Sequence, residues 1–213
     1  MKNNFNVDPM YVKYGIMIGT FNPIHNGHLM MANYLLENSD LDNIVIVPSP
    51  GSFGKPELID FKYRYEMISI ALKDIRSRRV FVSDRELNLS GYTIDTLESF
   101  KLDVSLIIGA DNFPELIKFY RSIDILKNYK IYVLDRNGVD TDSMISEELE
   151  KLEMTRSDCK GIETFCNFPE TKISSSFIRK QVREGKSIWG YVPNRVSKYI
   201  KHNKLYIENE DNA

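Results

Sequence analysis

The sequence is short of cysteine, of strong charge bias and of long apolar runs, and each shortage rules something out. Its 213 residues hold two cysteines, Cys159 and Cys166. They form no Cys-x-x-Cys pair and their spacing suits no common zinc site, so both read as reduced thiols and no metal ligand is expected. No apolar stretch approaches the ~20 residues that a membrane-spanning helix needs, so no membrane partner is expected. The segment Met1–Lys13 is polar and lacks the apolar core of a signal segment. It reads as a flexible lead-in, and the protein is expected to be cytoplasmic. Twenty-eight Lys and Arg face 30 Asp and Glu, a net charge of −2. A general nucleic-acid binder usually carries excess basic charge, so nucleic acid is not an expected partner, while a local basic pocket stays open.

What is present is an ordinary globular balance, 42% hydrophobic and 27% charged. Strand-like and helix-like patterns alternate along it. Tyr14–Ile18, Asn43–Pro48, Val80–Val82, Val104–Ile108, Lys130–Leu134 and Ile162–Phe168 read as strands. The run Asn43-Ile44-Val45-Ile46-Val47-Pro48 is continuously apolar at its centre, as in a strand buried on both faces of a parallel sheet. Helices are expected after His28, after Asp60 as a possible cap, from Tyr92 or Thr93, within Asn112–Leu126, over Ser174–Arg183 and from Pro193. The acidic stretch 137–160 is expected to be a solvated helix and loops. The pattern predicts an α/β fold, a Rossmann-like parallel sheet with helices on both faces, as a single domain over 14–205 with a polar tail 206–213.

Ligands bind such sheets at the carboxyl ends of the strands, so the loops there carry the information. Gly19-Thr20-Phe21-Asn22-Pro23-Ile24-His25-Asn26-Gly27-His28 runs from the first strand into a helix N-terminus. Backbone N–H groups and a helix dipole at such a turn favour an anion. His25 and His28 add donors, and no third ligand follows to support a metal site. Ile173-Ser174-Ser175-Ser176-Phe177-Ile178-Arg179 opens a late helix. Ser174 or Ser175 can cap it, and Arg179 can reach back to an anion at the same end. Two anion-binding helix starts in one chain point to a polyphosphate ligand.

Those two stretches resemble the His-x-Gly-His and Ser-Ser-x-x-Ile-Arg motifs of the nucleotidyltransferase superfamily. Tyr92-Thr93-Ile94-Asp95-Thr96-Leu97, Ile108-Gly109-Ala110-Asp111 and Tyr191-Val192-Pro193 narrow the resemblance to the nicotinate-nucleotide adenylyltransferase family, over about Tyr14 to Leu205. The chain departs from that pattern at Asn22, where Asp is usual. It departs also at Ser52-Phe53-Gly54-Lys55 in place of Pro-Pro-His-Lys, and at Phe119-Tyr120 in place of Trp-Tyr.

The resemblance implies transfer of AMP from ATP to nicotinate mononucleotide, with Mg2+ arriving on ATP. It implies that His25, His28 and Arg179 act on the phosphates, and that Gly19, Thr20, Phe21, Gly109, Asp111, Ser174 and Ser175 complete the ATP site. Asn22, Lys55, Thr93, Phe119, Tyr120 and Arg136 are then the candidates for the acceptor. The acceptor phosphate is already largely ionised near neutrality, its second pKa being ~6, so no general base is required. Positioning and charge stabilisation become the whole task. Other acceptors, nicotinamide mononucleotide or phosphopantetheine, and a non-catalytic nucleotide-binding regulator remain as alternatives. The assembly is expected to be a monomer or homodimer.

Overall fold

The computed structural model describes residues 12–51, 57–135, 140–169 and 171–207. Among them, six strands form one sheet: β1 (Tyr14–Gly19), β2 (Asn43–Pro48), β3 (Val80–Val82), β4 (Val104–Gly109), β5 (Ile131–Leu134) and β6 (Ile162–Phe165). Their order is β3-β2-β1-β4-β5-β6. Every pairing is parallel. The described residues also form eight α-helices, between the strands and after the last: α1 (Asn26–Asn38), α2 (Phe61–Ile75), α3 (Thr93–Ser99), α4 (Phe113–Leu116), α5 (Ser122–Asn128), α6 (Thr141–Glu150), α7 (Ser175–Arg183) and α8 (Asn194–His202).

The two-residue period of a strand divides the core. In β2, Ile44 and Ile46 face one side of the sheet and pack with α1, α2, α7 and α8 through Leu35, Met67, Ile178 and Val196. Val45 and Val47 face the other and pack with α3 to α6 through Leu97, Phe113, Ile125 and Ile145. Both faces are therefore covered, which is why the strand reads as an unbroken apolar run rather than an alternation.

The structure revises several local expectations. The acidic stretch is not merely solvated. In α6, Ile145 and Leu149 are buried one turn apart in the second core, and the carboxylate of Asp140 caps the helix by accepting from the N–H of Ser143 at 3.1 Å. The last strand stops at Phe165, and Phe168 is buried from a turn. Asp60 stands at the N-cap of α2, yet its backbone carbonyl, not its carboxylate, accepts from Tyr63 and Arg64. Lys13 belongs to the fold, since its ammonium pairs with Asp40 and its carbonyl accepts from the N–H of Asp42 and of Asn43. Tyr206, assigned to the polar tail, instead donates its hydroxyl to Asn22 Oδ1 at 2.9 Å.

Candidate active site

Strand order reverses between β1 and β4, and an open sheet leaves a crevice at such a point. A cleft of about 870 Å³ lies there. Gly19, Thr20, Phe21 and His28 line it after β1, Ser49 to Gly51 after β2, Gly109 and Asn112 after β4, and Ser175 from α7. Tyr92, Thr93, Phe119 and Tyr120 close one side.

The histidine turn is built to hold two rings in one pose. His25 is the N-cap of α1 and His28 lies in its first turn. Their rings stack at 3.6 Å between centroids, 19° apart, and Phe21 meets His28 edge-on at 4.9 Å. The backbone N–H of His25 donates to His28 Nδ1 at 3.3 Å. A ring nitrogen that accepts carries no proton, so the proton of neutral His28 sits on Nε2 and makes that atom a donor. Space at Gly27 is tight. A Cβ there would stand 3.0 Å from His25 Nδ1, 3.1 Å from its Cε1 and 3.4 Å from Thr171 Cγ2.

Chain ends far apart in sequence meet at this turn. Ser174 caps α7 by accepting from the N–H of Phe177 at 3.2 Å. The hydroxyl of Ser175 donates to the carbonyl of Pro23 at 2.8 Å, and Arg179 donates to the carbonyl of Asn22 at 2.9 Å. The first turns of α1 and α7 thus open onto one crevice. Arg179 also donates from Nε and from Nη2 to Glu57 Oε2, at 3.0 and 2.8 Å, and Arg183 donates to Glu57 Oε1 at 2.7 Å. Hydrogen bonds from Arg179 and then from Arg183 hold the Glu57 carboxyl below its ordinary range.

Of the acceptor candidates, Thr93, Phe119 and Tyr120 line the cleft. The rings of Tyr92 and Tyr120 lie 4.7 Å apart, so Tyr92 extends the aromatic side. Asn22 is buried. Its amide donates to the carbonyl of Glu57 at 2.9 Å and its oxygen accepts from Tyr206, so its side chain joins three segments behind the cleft. Asp111 is exposed in the short turn after β4, while its neighbour Asn112 faces the cleft. Lys55 and Arg136 lie outside the described residues.

Sequence reasoning missed Glu57, Tyr206 and above all Arg64. Arg64 follows the helical spacing of the core face of α2, with Met67, Ile68, Ala71 and Leu72, and is fully buried. A charge at a core-facing position was the available signal, because a buried charge is costly unless it is paired or hydrogen-bonded. Glu86, also buried, accepts the Thr96 hydroxyl at Oε1, 2.7 Å away. Burial raises the Glu86 carboxyl above its ordinary value, and Thr96 and Arg64 oppose that shift.

Comparison with known proteins agrees with this geometry. The profile of the cytidylyltransferase-like family matches residues 16–181. A probable nicotinate-nucleotide adenylyltransferase of Flavobacterium johnsoniae is 37% identical over 204 residues, covering 92% of this chain and 99% of the relative. One of the same description from Caldicellulosiruptor bescii is 37% identical over 201 residues, covering 92% and 99%. The solved structure of Plasmodium falciparum nicotinic acid mononucleotide adenylyltransferase complexed with NaAD superposes with a TM-score of 0.75 at 19% identity, covering 92% of this chain and 98% of that one. That structural likeness speaks for the fold, and the sequence relatives for kinship. With both phosphate motifs meeting at the reversal of strand order, the chain belongs to the cytidylyltransferase-like family.

Proposed function

We propose that the chain transfers the adenylyl group of ATP to nicotinate mononucleotide, forming nicotinate adenine dinucleotide and pyrophosphate in NAD synthesis. One observation carries the reading. The histidine turn and the start of α7 are tied together, Ser175 to Pro23 and Arg179 to Asn22, at the mouth of an aromatic-sided cleft. The relatives described above carry the matching description, and a structural neighbour holds NaAD.

An oxygen of the acceptor phosphate attacks the α-phosphorus of ATP. A new P–O bond forms there, the bond to the β-phosphate oxygen breaks, and pyrophosphate leaves with the electron pair. The acceptor is already ionised, so the protein's work is alignment and stabilisation of the charge that gathers on the leaving group. His28 offers Nε2–H, and Gly19, Thr20 and Phe21 offer backbone beside it. Arg179 and the Ser174–Ser175 start of α7 hold the β- and γ-phosphates. His25 orients His28 through the ring stack and the N–H to Nδ1 bond. Gly109, which lines the cleft, and Asp111, in the exposed turn after β4, are proposed to meet the adenosine. Thr93, Phe119 and Tyr120 face the pyridine ring, Asn22 fixes the acceptor side, and Lys55 and Arg136 are proposed to neutralise the incoming phosphate. Magnesium is proposed to enter with ATP, bound by phosphate oxygens. Among the described residues no three His, Cys, Asp or Glu side chains are grouped to hold an ion. None of the described helices is long and apolar enough to cross a membrane. The proposed setting is the cytoplasm, as a monomer or homodimer.

The test is pyrophosphate release from ATP with nicotinate mononucleotide, nicotinamide mononucleotide and phosphopantetheine in parallel. The nicotinate form should give the highest kcat/KM. Preference for another acceptor would overturn the assignment of substrate, and silence with all three would overturn that of reaction.

A further inference from the structure

Arg64 is fully buried, and its guanidinium donates to four backbone carbonyls from three segments. Nη1 reaches Thr20 O at 2.7 Å and Ser49 O at 2.7 Å. Nη2 reaches Pro50 O at 3.1 Å, and Nε reaches Ile59 O at 2.9 Å. Among the described residues no carboxylate is hydrogen-bonded to it. A buried arginine so arranged is costly to maintain and is poor evidence of stability for its own sake. Its partners are informative: three of the four carbonyls belong to the loops after β1 and β2 that line the cleft.

A trans peptide is planar, with its C=O and N–H pointing in opposite directions. The Thr20 carbonyl turned down to Arg64 therefore aims the N–H of Phe21 the other way. The Pro50 carbonyl does the same for the N–H of Gly51. Phe21 and Gly51 both line the cleft. Phe21 sits at φ 45°, a left-handed conformation that a bulky side chain rarely adopts, so something must hold that peptide in place. The Arg64 bond to the preceding carbonyl is placed to do so.

We propose that Arg64 is a positioning residue for nucleotide binding: it fixes the Thr20–Phe21 and Pro50–Gly51 peptides so that two N–H donors face the ATP phosphates. Its buried positive charge lies beneath both peptides and adds to the attraction for an anion. The inference rests on the adenylyl-transfer reading, because it takes ATP as the ligand of the cleft.

ATP titration of wild type, Arg64→Lys and Arg64→Met tests it, at a temperature where unfolding curves show each variant folded. Loss of one charge-assisted hydrogen bond is enough for about tenfold in affinity. The Kd for ATP should rise at least about tenfold in Arg64→Met and less in Arg64→Lys, which keeps the charge and some donors. KM for the mononucleotide acceptor should change much less than KM for ATP. A purely structural arginine would lower Tm and leave that ratio alone. Wild-type ATP affinity in folded Arg64→Met overturns the inference, and absence of ATP binding by wild type overturns the parent reading with it. If neither variant folds, the wild-type protein decides. The amide resonances of Phe21 and Gly51 should shift on ATP addition more than those of buried strand residues, and unmoved resonances overturn the assignment.

Discussion

Replacing Gly27 by alanine sets two effects against each other. Glycine in a helix is up to about 1 kcal/mol worse than alanine, so a methyl group here would ordinarily stabilise α1. At this position, however, the new Cβ would stand 3.0 and 3.1 Å from the His25 ring and 3.4 Å from Thr171 Cγ2, so neighbours must give by a few tenths of an ångström. His25 has little room to give, being 2% exposed and stacked on His28 at 3.6 Å. Forcing a side chain ~30° off its rotamer costs about 0.5–1.5 kcal/mol, which offsets the propensity gain. Stability should therefore change by less than about 1 kcal/mol, equivalent to a Tm shift within about 4 °C for a chain of this size. Turnover should suffer more, because a catalytic misplacement of ~1 Å costs about 100-fold. A shift of a few tenths of an ångström transmitted through the stack to His28 should lower kcat about tenfold. Calorimetry and continuous pyrophosphate release with ATP and nicotinate mononucleotide measure the two effects. A Gly27→Ala protein with a raised Tm and full turnover would refute the claim that glycine is there to seat the rings.

His28→Ala removes the proposed Nε2–H donor and should lower kcat about 100-fold, the scale of losing one preorganised charge-stabilising donor. Near-wild-type turnover in the folded variant would end its catalytic assignment. Glu57→Gln frees Arg179 and Arg183 from a carboxylate that competes with phosphate, and solvent screening at this exposed site keeps the gain in ATP affinity within about fivefold. Weaker ATP binding would show instead that Glu57 holds Arg179 in its working pose. Because burial raises the Glu86 carboxyl, the native state holds that proton to higher pH than the unfolded chain. Its contribution to stability is fully present below about pH 4.3 and declines as pH rises through the raised value. Glu86→Gln mimics the protonated form, so its urea stability should fall less than wild type's between pH 4 and 7, and parallel profiles would count against the shift.

The parts that could be read from sequence were those whose local chemistry is self-sufficient. β2 announces itself because both of its faces are covered, and the starts of α1 and α7 because glycine, histidine and serine at a helix N-terminus are a local arrangement. Parallel order puts both at the carboxyl edge of the sheet, and their meeting also needs α7 to return from β6, at the end of the sheet, to the turn after β1. What escaped was set by partners distant in sequence. In α6 the apolar pair Ile145 and Leu149 was outnumbered by acids, so composition hid a core face. Arg64 stood out only as a charge at a core-facing position of α2, because its four acceptors are backbone carbonyls and leave no side-chain signature of what it holds. Glu57 and Tyr206 stand about 120 and 180 residues from the groups they hold, Arg179 and Asn22, and nothing local announces either bond.

The chemistry of the reaction and the geometry of the histidine turn constrain each other. A histidine serving as a base would need an unprotonated nitrogen facing the nucleophile. In His28 the unprotonated nitrogen is Nδ1, and it is occupied by the N–H of His25. Protonating Nδ1 would set two N–H groups against each other, so the bond favours the tautomer with its proton on Nε2. A donor at that place helps a bond-breaking step that gathers negative charge, and it does nothing for proton abstraction. The acceptor phosphate requires no such abstraction, being ionised already. Under the proposed function, the pairing of two histidines, one capping the helix and one in its first turn, serves to present a single N–H in fixed orientation beside backbone donors. A glycine between them leaves the rings room to stack.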